Sequence, residues 1–180
     1  VFGLLGANGA GKSTTIECML GTKQADSGMV RLLGQDPKKN RRTLFQRIGV
    51  QFQEGDYHQE IRVYELCEET ASLYRNPADW HALCRQFGIG DKAGTAVKSL
   101  SGGERQRLFI VLALIGRPEL VFLDELTTGL DAKARRGVWK TLESLKEQGL
   151  TIFLTSHFMD EVEALGDEIC ILKKGVPVFR

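Results

Sequence analysis

The sequence predicts an α/β fold with a largely parallel sheet and an inserted helical subdomain. Short apolar segments of strand length alternate with longer segments of helical spacing along most of the chain. A glycine-rich loop at residues 6–14 joins the first apolar segment to the first helical one. Residues 63–87 show helical spacing, and no strong strand signal lies between residues 53 and 100. Strands that alternate with helices are typical of a parallel sheet with helices on both faces, and the middle region is then a helical insertion.

The composition fits one globular domain with a substantial core. The chain has 180 residues, of which 42% are hydrophobic and 26% are charged. Its net charge of +1 gives no overall field that would attract nucleic acid, so no direct nucleic-acid partner is expected. No apolar run approaches the roughly 20 residues that span a bilayer. Four scattered cysteines indicate a reducing compartment and no cysteine metal site: Cys18, Cys67, Cys84 and Cys170.

The first half of the chain contains both strand and helix signals. Asn76-Pro77 interrupts the helical spacing between residues 63 and 87, which predicts two helices there. Asn40 is expected to cap a short helix that ends near Gln46. The other elements predicted in this half are strands at 1–5, 29–33 and 48–52 and a helix at 15–20.

The second half alternates helices with strands and ends in two consecutive strands. A long amphipathic helix is predicted at 104–115, and Arg117-Pro118 ends it. A helix at 132–148 has Val138, Leu142 and Leu145 on one face. The remaining predicted elements are strands at 120–123, 151–155, 168–172 and 176–179 and a helix at 158–165.

The glycine-rich loop matches the phosphate-binding pattern G-x-x-x-x-G-K-[ST] and predicts a P-loop NTPase core. Glycines allow positive φ and a close approach of phosphate, while loop N–H groups and the helix N-terminus favour an anion. Lys12 is expected to reach the β- and γ-phosphates, and Ser13 to offer its hydroxyl to Mg²⁺. A glycine-rich turn with a chance Lys-Ser is the alternative. The predicted nucleotide-binding residues are Gly6, Ala7, Asn8, Gly9, Ala10, Gly11, Lys12, Ser13 and Thr14.

Two adjacent carboxylates, Asp124 and Glu125, directly follow an apolar strand. The carboxyl ends of parallel strands line the ligand crevice of α/β folds. Asp124 is therefore expected to hold Mg²⁺, directly or through water, and Glu125 to orient or deprotonate an attacking water. The alternative is a solvated pair that caps a helix.

Several motifs in this order resemble the ATP-binding cassette (ABC) family over nearly the whole chain. Residues 100–107, Leu-Ser-Gly-Gly-Glu-Arg-Gln-Arg, resemble the family signature. Residues 127–131 resemble the loop after the acidic pair, and Thr155-Ser156-His157 resembles the segment with the switch histidine. Gln53 resembles the glutamine that opens the helical lobe. The resemblance implies one ABC ATP-binding domain over residues 1–180, with a helical subdomain at 54–100.

The resemblance also implies a site shared between two subunits. Ser101 and Gly103 would donate hydrogen bonds to the γ-phosphate of ATP held on the opposite subunit, and Asp131 would lie near that opposite site. The residues alone also allow a simpler interpretation, since Ser101 and Asp131 are good helix caps. These two interpretations are compatible.

Two further roles depend on the resemblance. His157 follows a strand end and would reach the γ-phosphate as a catalytic residue, although a structural hydrogen bond is the alternative. Gln53 would bind Mg²⁺ and water and couple the helical subdomain to a membrane partner, although a polar loop residue is the alternative. The implied cofactors are ATP and Mg²⁺.

Residues 132–139 and 149–175 resemble the branch of bacterial-type exporters of drugs, lipids or polysaccharides. The implied partners are a second ABC ATP-binding subunit, in a homo- or heterodimer, and an integral membrane permease. The implied location is peripheral, on the cytoplasmic face of the membrane. A soluble ABC ATPase acting on ribosomes or DNA is the alternative. A metabolic kinase is a weaker one, because a kinase needs neither the signature nor the switch histidine.

The sequence departs from the family pattern in two ways. Leu126 stands where the family usually has proline, which leaves the turn after Glu125 less restricted. The family's adenine-stacking aromatic residue lies upstream of the phosphate loop, where this chain has only residues 1–5. The chain is therefore expected to be a fragment of a longer subunit, truncated at both ends.

Overall fold

A computed structural model describes residues 1–51 and 60–179. Gln53 and the role predicted for it lie outside the described residues. The strands are β1 (Phe2–Leu5), β2 (Ile48–Gln51), β3 (Leu120–Asp124), β4 (Thr151–Ser156), β5 (Glu168–Lys173) and β6 (Val176–Phe179). The helices are α1 (Lys12–Met19), α2 (Arg41–Leu44), α3 (Val63–Ser72), α4 (Trp80–Gln86), α5 (Gly102–Leu114), α6 (Ala132–Glu147) and α7 (Met159–Leu165).

The described strands form one sheet in the order β2-β3-β4-β1-β5-β6. Neighbouring strands from β2 to β5 are parallel, and β6 pairs antiparallel with β5 at one edge. This confirms the predicted α/β fold with a largely parallel sheet. Because β3, β4 and β1 are adjacent, the loops that follow them meet at one edge of the sheet.

Apolar side chains cover both faces of the central strands. Val121 and Leu123 of β3 belong to one buried cluster, and Phe122, between them, belongs to the other. This alternation follows from the two-residue period of a strand. A parallel sheet buried on both faces explains why β3 reads as a continuous apolar run.

Helices α3 and α4 lie between β2 and α5 in the chain, as the helical spacing predicted. Their buried side chains, among them Leu66 and Trp80, share one cluster with Leu108 of α5. The break at Asn76-Pro77 falls between the two helices. The subdomain boundaries at 54 and 100 remain predictions.

The predicted strand at 29–33 is wrong. In the described part of the chain these residues form only an isolated bridge between Leu32 and Gln35, and Met29 is 78% exposed. Their apolar character satisfies the local strand pattern, but a strand also needs a neighbour along its length. Two helices start more than one residue earlier than predicted: α1 begins at Lys12, three residues before the prediction, and α5 begins at Gly102, directly after its cap Ser101.

Gly49 of β2 lies close against the backbone of α5. A Cβ atom there would lie 2.0 Å from the carbonyl oxygen of Ala113. We expect Gly49→Ala to lower the free energy of unfolding by about 2–3 kcal/mol, because overpacking against backbone cannot be relieved by a side-chain rotation. Gly137→Ala, in α6 with open space around it, should instead raise it by about 0.5–1 kcal/mol. Urea denaturation of both variants measures the difference, and a Gly49→Ala protein as stable as the parent would contradict the expectation.

Candidate functional site

The loop between β1 and α1 has the backbone that a phosphate-binding loop requires. Gly9 has φ 77° and Gly11, the residue before α1, has φ 101°. These left-handed conformations favour glycine over residues with a Cβ. The N–H of Gly175, in the turn between β5 and β6, donates to the carbonyl of Ala10 at 2.9 Å and supports the loop from outside. The first N–H groups of α1 follow this loop.

Lys12 is the first residue of α1, and its side chain points back into the preceding loop, with only 4% of it exposed. Its Nζ donates to the carbonyl of Gly6 at 2.8 Å and, over a longer distance of 3.4 Å, to that of Ala7. Glu125 Oε1 lies 3.7 Å from the same nitrogen. The ammonium group is thus partnered by oxygen atoms at the position where a phosphate would bind.

Ser13 and Asp124 are joined across the site. The Ser13 hydroxyl donates to Asp124 Oδ2 at 2.8 Å, and Thr155 Oγ1 donates to Asp124 Oδ1. A hydroxyl and a carboxylate are the hard oxygen ligands that Mg²⁺ prefers. Within residues 1–51 and 60–179 there is no group of three or more His, Cys, Asp and Glu side chains that could hold a metal ion. The adjacent Ser13 hydroxyl and Asp124 carboxylate fit a Mg²⁺ of the kind that keeps several water ligands and binds phosphate.

Glu125 begins the loop after β3 in a left-handed conformation, with φ 51°. Its N–H group contacts two acceptors of Thr155, the carbonyl oxygen and Oγ1, each at 3.1 Å. Its carboxylate, 9% exposed, has Oε1 3.8 Å from His157 Nδ1 and Oε2 3.4 Å from the Thr128 hydroxyl. The carboxylate therefore lies between Lys12 and His157.

His157 directly follows β4, as predicted, and is held by its neighbours. Its ring centroid lies 4.0 Å from that of Phe158, and the guanidinium carbon of Arg135 lies 4.5 Å from the Phe158 ring centroid. Arg135 also contacts Asp160 at 3.3 Å. The histidine side chain is 30% exposed, so it faces solvent at the edge of the site.

Ser101 and Gly103 lie at the start of α5. The Ser101 hydroxyl accepts from the N–H of Glu104, whose carboxylate accepts from the N–H of Ser101. The Ser101 hydroxyl also donates to the same carboxylate at 2.8 Å. The bond from the Ser101 N–H first, then that from its hydroxyl, and Lys92 beside the carboxylate lower the pKa of Glu104 to about 2. The capping role of Ser101 is confirmed, and a role toward a second subunit remains a prediction.

Asp131 caps α6 in the same manner. Its Oδ1 accepts from the N–H groups of Lys133 at 2.9 Å and Ala134 at 2.8 Å. These backbone bonds, that from Ala134 first, lower the pKa of Asp131 below its usual value. A Cβ atom at Gly103 would lie 3.1 Å from Leu130 Cδ2, so the start of α5 packs against the loop that leads into Asp131.

The structure brings together five of the predicted residues: Lys12, Ser13, Asp124, Glu125 and His157. It also adds Thr155, which contacts both Asp124 and Glu125 and which the sequence motifs did not single out. The available signal was a hydroxyl residue directly after the apolar residues 152–154 and two positions before His157, in a motif that assigned a role to the histidine alone. Leu126, at the position where proline was expected, is fully buried, and its carbonyl accepts from Gln106 Nε2 at 2.8 Å.

The fold and the site together define a P-loop nucleotide-binding domain. The sequence profile described as "ABC transporter" matches residues 1–128. The chain belongs to the ABC transporter family.

Individual relatives agree with this placement. The chain is 38% identical over 179 residues to the Nod factor export ATP-binding protein I of Ralstonia nicotianae, covering 97% of this chain and 56% of that protein. It is 39% identical over 181 residues to the protein of the same name from Burkholderia pseudomallei, covering 97% and 59%. The chain thus spans somewhat more than half the length of these curated relatives.

Solved structures show the same architecture. The ATP-binding subunit of an ABC transporter superposes with a TM-score of 0.86 at 26% identity, over 97% of this chain and 75% of that one. A dimeric bacterial ABC transporter cassette superposes with a TM-score of 0.84 over 99% of this chain and 83% of that one; at 23% identity, this likeness shows the fold alone. None of the helices in the described ranges has both the length and the apolar character that crossing a bilayer requires.

Proposed function

We propose that the chain is the nucleotide-binding part of an ABC exporter, in which it binds and hydrolyses ATP to power transport. One observation carries the proposal: Lys12, Ser13, Asp124, Glu125 and His157 meet at the carboxyl ends of β1, β3 and β4. A positive group, two metal-binding oxygens, a carboxylate base and a histidine are the parts that phosphoryl transfer to water needs.

Binding of ATP begins at the loop between β1 and α1. Backbone N–H groups of residues 6–14 and the N-terminus of α1 favour the phosphates. Lys12 exchanges its bonds to the Gly6 and Ala7 carbonyls for bonds to phosphate oxygens, which carry full negative charge. The cation is already buried in place, so little side-chain freedom is lost on binding.

Ser13 and Asp124 would hold Mg²⁺, and Gln53 is proposed as a third ligand from the sequence alone. A bound Mg²⁺ neutralises charge on the phosphates. Glu125 orients the attacking water and takes its proton, because its carboxylate lies 3.7 Å from the Lys12 ammonium group, where the phosphates would bind. His157, 3.8 Å from the same carboxylate, contacts the γ-phosphate from the side of β4.

The transport role needs two partners. In a dimer, the ATP bound to a second ABC ATP-binding subunit would contact Ser101, Gly103 and Asp131 of this chain, because these residues lie at the starts of α5 and α6. An integral membrane permease would carry the cargo, which places this chain on the cytoplasmic face of the membrane as a peripheral subunit. The export direction is supported by the two relatives, both of which are named for Nod factor export.

Light scattering after size-exclusion chromatography tests the shared site. We expect Glu125→Gln to form a dimer with Mg-ATP and to stay monomeric without nucleotide, because ATP that is not hydrolysed keeps bridging the two subunits. Adding Ser101→Arg to this variant should abolish the dimer, whereas Ser72→Arg, at an exposed end of α3, should leave it intact. A protein that binds ATP and remains monomeric would overturn the shared site.

A further inference from the structure

Thr155 is a fully buried hydroxyl residue at the carboxyl end of β4. In the parallel register of β3 and β4 it pairs with Asp124. Its hydroxyl donates to Asp124 Oδ1 and accepts the N–H of Glu125 at 3.1 Å. One side chain thus contacts both residues of the acidic pair, through opposite hydrogen-bonding roles of one oxygen atom.

The first contact fixes the carboxylate of Asp124. Thr155 holds Oδ1, while Ser13 holds Oδ2 at 2.8 Å. A carboxylate bonded at both oxygens cannot rotate freely, and Asp124 is only 3% exposed, so water does not replace either partner readily. The orientation of Asp124 toward Ser13 therefore depends on the Thr155 hydroxyl.

The second contact fixes the backbone of Glu125. This residue has φ 51°, a left-handed conformation that is unfavourable in a residue with a Cβ. Both acceptors of its N–H group, the carbonyl oxygen and Oγ1, belong to Thr155. The left-handed turn directs the Glu125 carboxylate back toward Lys12 and His157. Strained conformations of this kind persist where the surroundings hold them.

We propose that Thr155 is a positioning residue that sets the orientation of Asp124 and Glu125 together. The kinetic consequences of this inference rest on the proposed function, whereas the contacts of Thr155 do not depend on it. Thr155 touches neither nucleotide nor metal in this account. It acts on metal binding through Asp124 and on turnover through Glu125. Loss of its hydroxyl should therefore change both the Mg²⁺ requirement and kcat, which a general loss of packing would not change together.

The test compares variants that differ in the hydroxyl group. Thr155→Val keeps the shape and removes the oxygen. Thr155→Ser and Thr155→Ala both lack the methyl group and differ only in the hydroxyl, so this pair remains informative if the valine variant does not fold. Thr70→Val is the control, because Thr70 is a half-buried threonine of α3 whose hydroxyl donates to the Leu66 carbonyl at 2.7 Å and to no residue of the site.

The first readout does not involve nucleotide. Amide hydrogen exchange at Glu125, followed by NMR in the free protein, should become at least tenfold faster in Thr155→Val and should return to within about threefold of the parent rate in Thr155→Ser. Exchange at Glu125 that is unchanged in Thr155→Val and equal in the Ser and Ala variants would overturn the proposal, whether or not the chain is an ATPase.

The second readout separates positioning from binding. We expect Thr155→Val to lower kcat for ATP about tenfold or more and to change KM less than threefold. It should also raise severalfold the Mg²⁺ concentration needed for tight binding of a non-hydrolysable ATP analogue. Thr155→Ser should recover both values, and Thr70→Val should resemble the parent. A parent protein without ATPase activity would count against the proposed function alone, whereas an active parent with equally active Thr155→Val would count against the positioning role.

Discussion

Replacing Glu125 with glutamine is expected to lower kcat for ATP hydrolysis about 100-fold or more, within the range of 10²–10⁴ that a general base contributes. Glutamine has nearly the same shape and still accepts the bond from Thr128, but it cannot take a proton from water. ATP binding should be retained or become tighter, because the substitution removes a negative charge 3.7 Å from Lys12, where phosphate binds.

The measurement gives kcat by phosphate release and the dissociation constant of ATP by titration, on the same preparation. Glu163→Gln is the matched control, since Glu163 is exposed on α7 and the charge change is the same. Its kcat should stay within twofold of the parent value. If Glu125→Gln turned ATP over within tenfold of the parent rate, Glu125 would not be the base.

The local parts of the site were predictable because each has a local cause. The glycines of the phosphate loop, the helix that starts at Lys12 and the apolar run before Asp124 are visible within a few residues of sequence. To predict that these parts lie together, one further rule is needed: the carboxyl ends of parallel strands share one edge of the sheet. The order β3-β4-β1 satisfies that rule and brings His157 beside Glu125.

The unpredicted parts have non-local causes. Thr155 matters because the register pairs it with Asp124, and register is a property of two distant segments. The positive φ of Glu125 has no sequence signal, because it occurs in a residue that seldom adopts it. The prediction of a strand at 29–33 was wrong because it used the local pattern alone. That pattern is present, but no described segment pairs along these residues.

Replacing Lys12 with methionine is expected to weaken ATP binding about 10- to 100-fold, since hydrogen bonds to a charged group contribute about 1.5–3 kcal/mol and each 1.4 kcal/mol is tenfold. Methionine keeps an unbranched side chain of similar length, so the buried space stays filled. The ammonium group is lost, and with it the attraction to the β- and γ-phosphates.

The dependence on phosphate number makes this prediction specific to the phosphate loop. If Lys12 contacts the β- and γ-phosphates, the affinity for ATP should fall most, that for ADP less, and that for AMP least, in titrations at one fixed ionic strength. Lys140→Met, at an exposed position of α6, is the control and should change none of the three affinities. An equal loss for all three nucleotides would mean that the loop had collapsed, because a neutral residue at position 12 leaves the carbonyls of Gly6 and Ala7 without their donor. An unchanged affinity for ATP would mean that the cation acts within the protein alone, as a partner of Glu125 and the loop carbonyls, and the nucleotide site would have to be sought elsewhere.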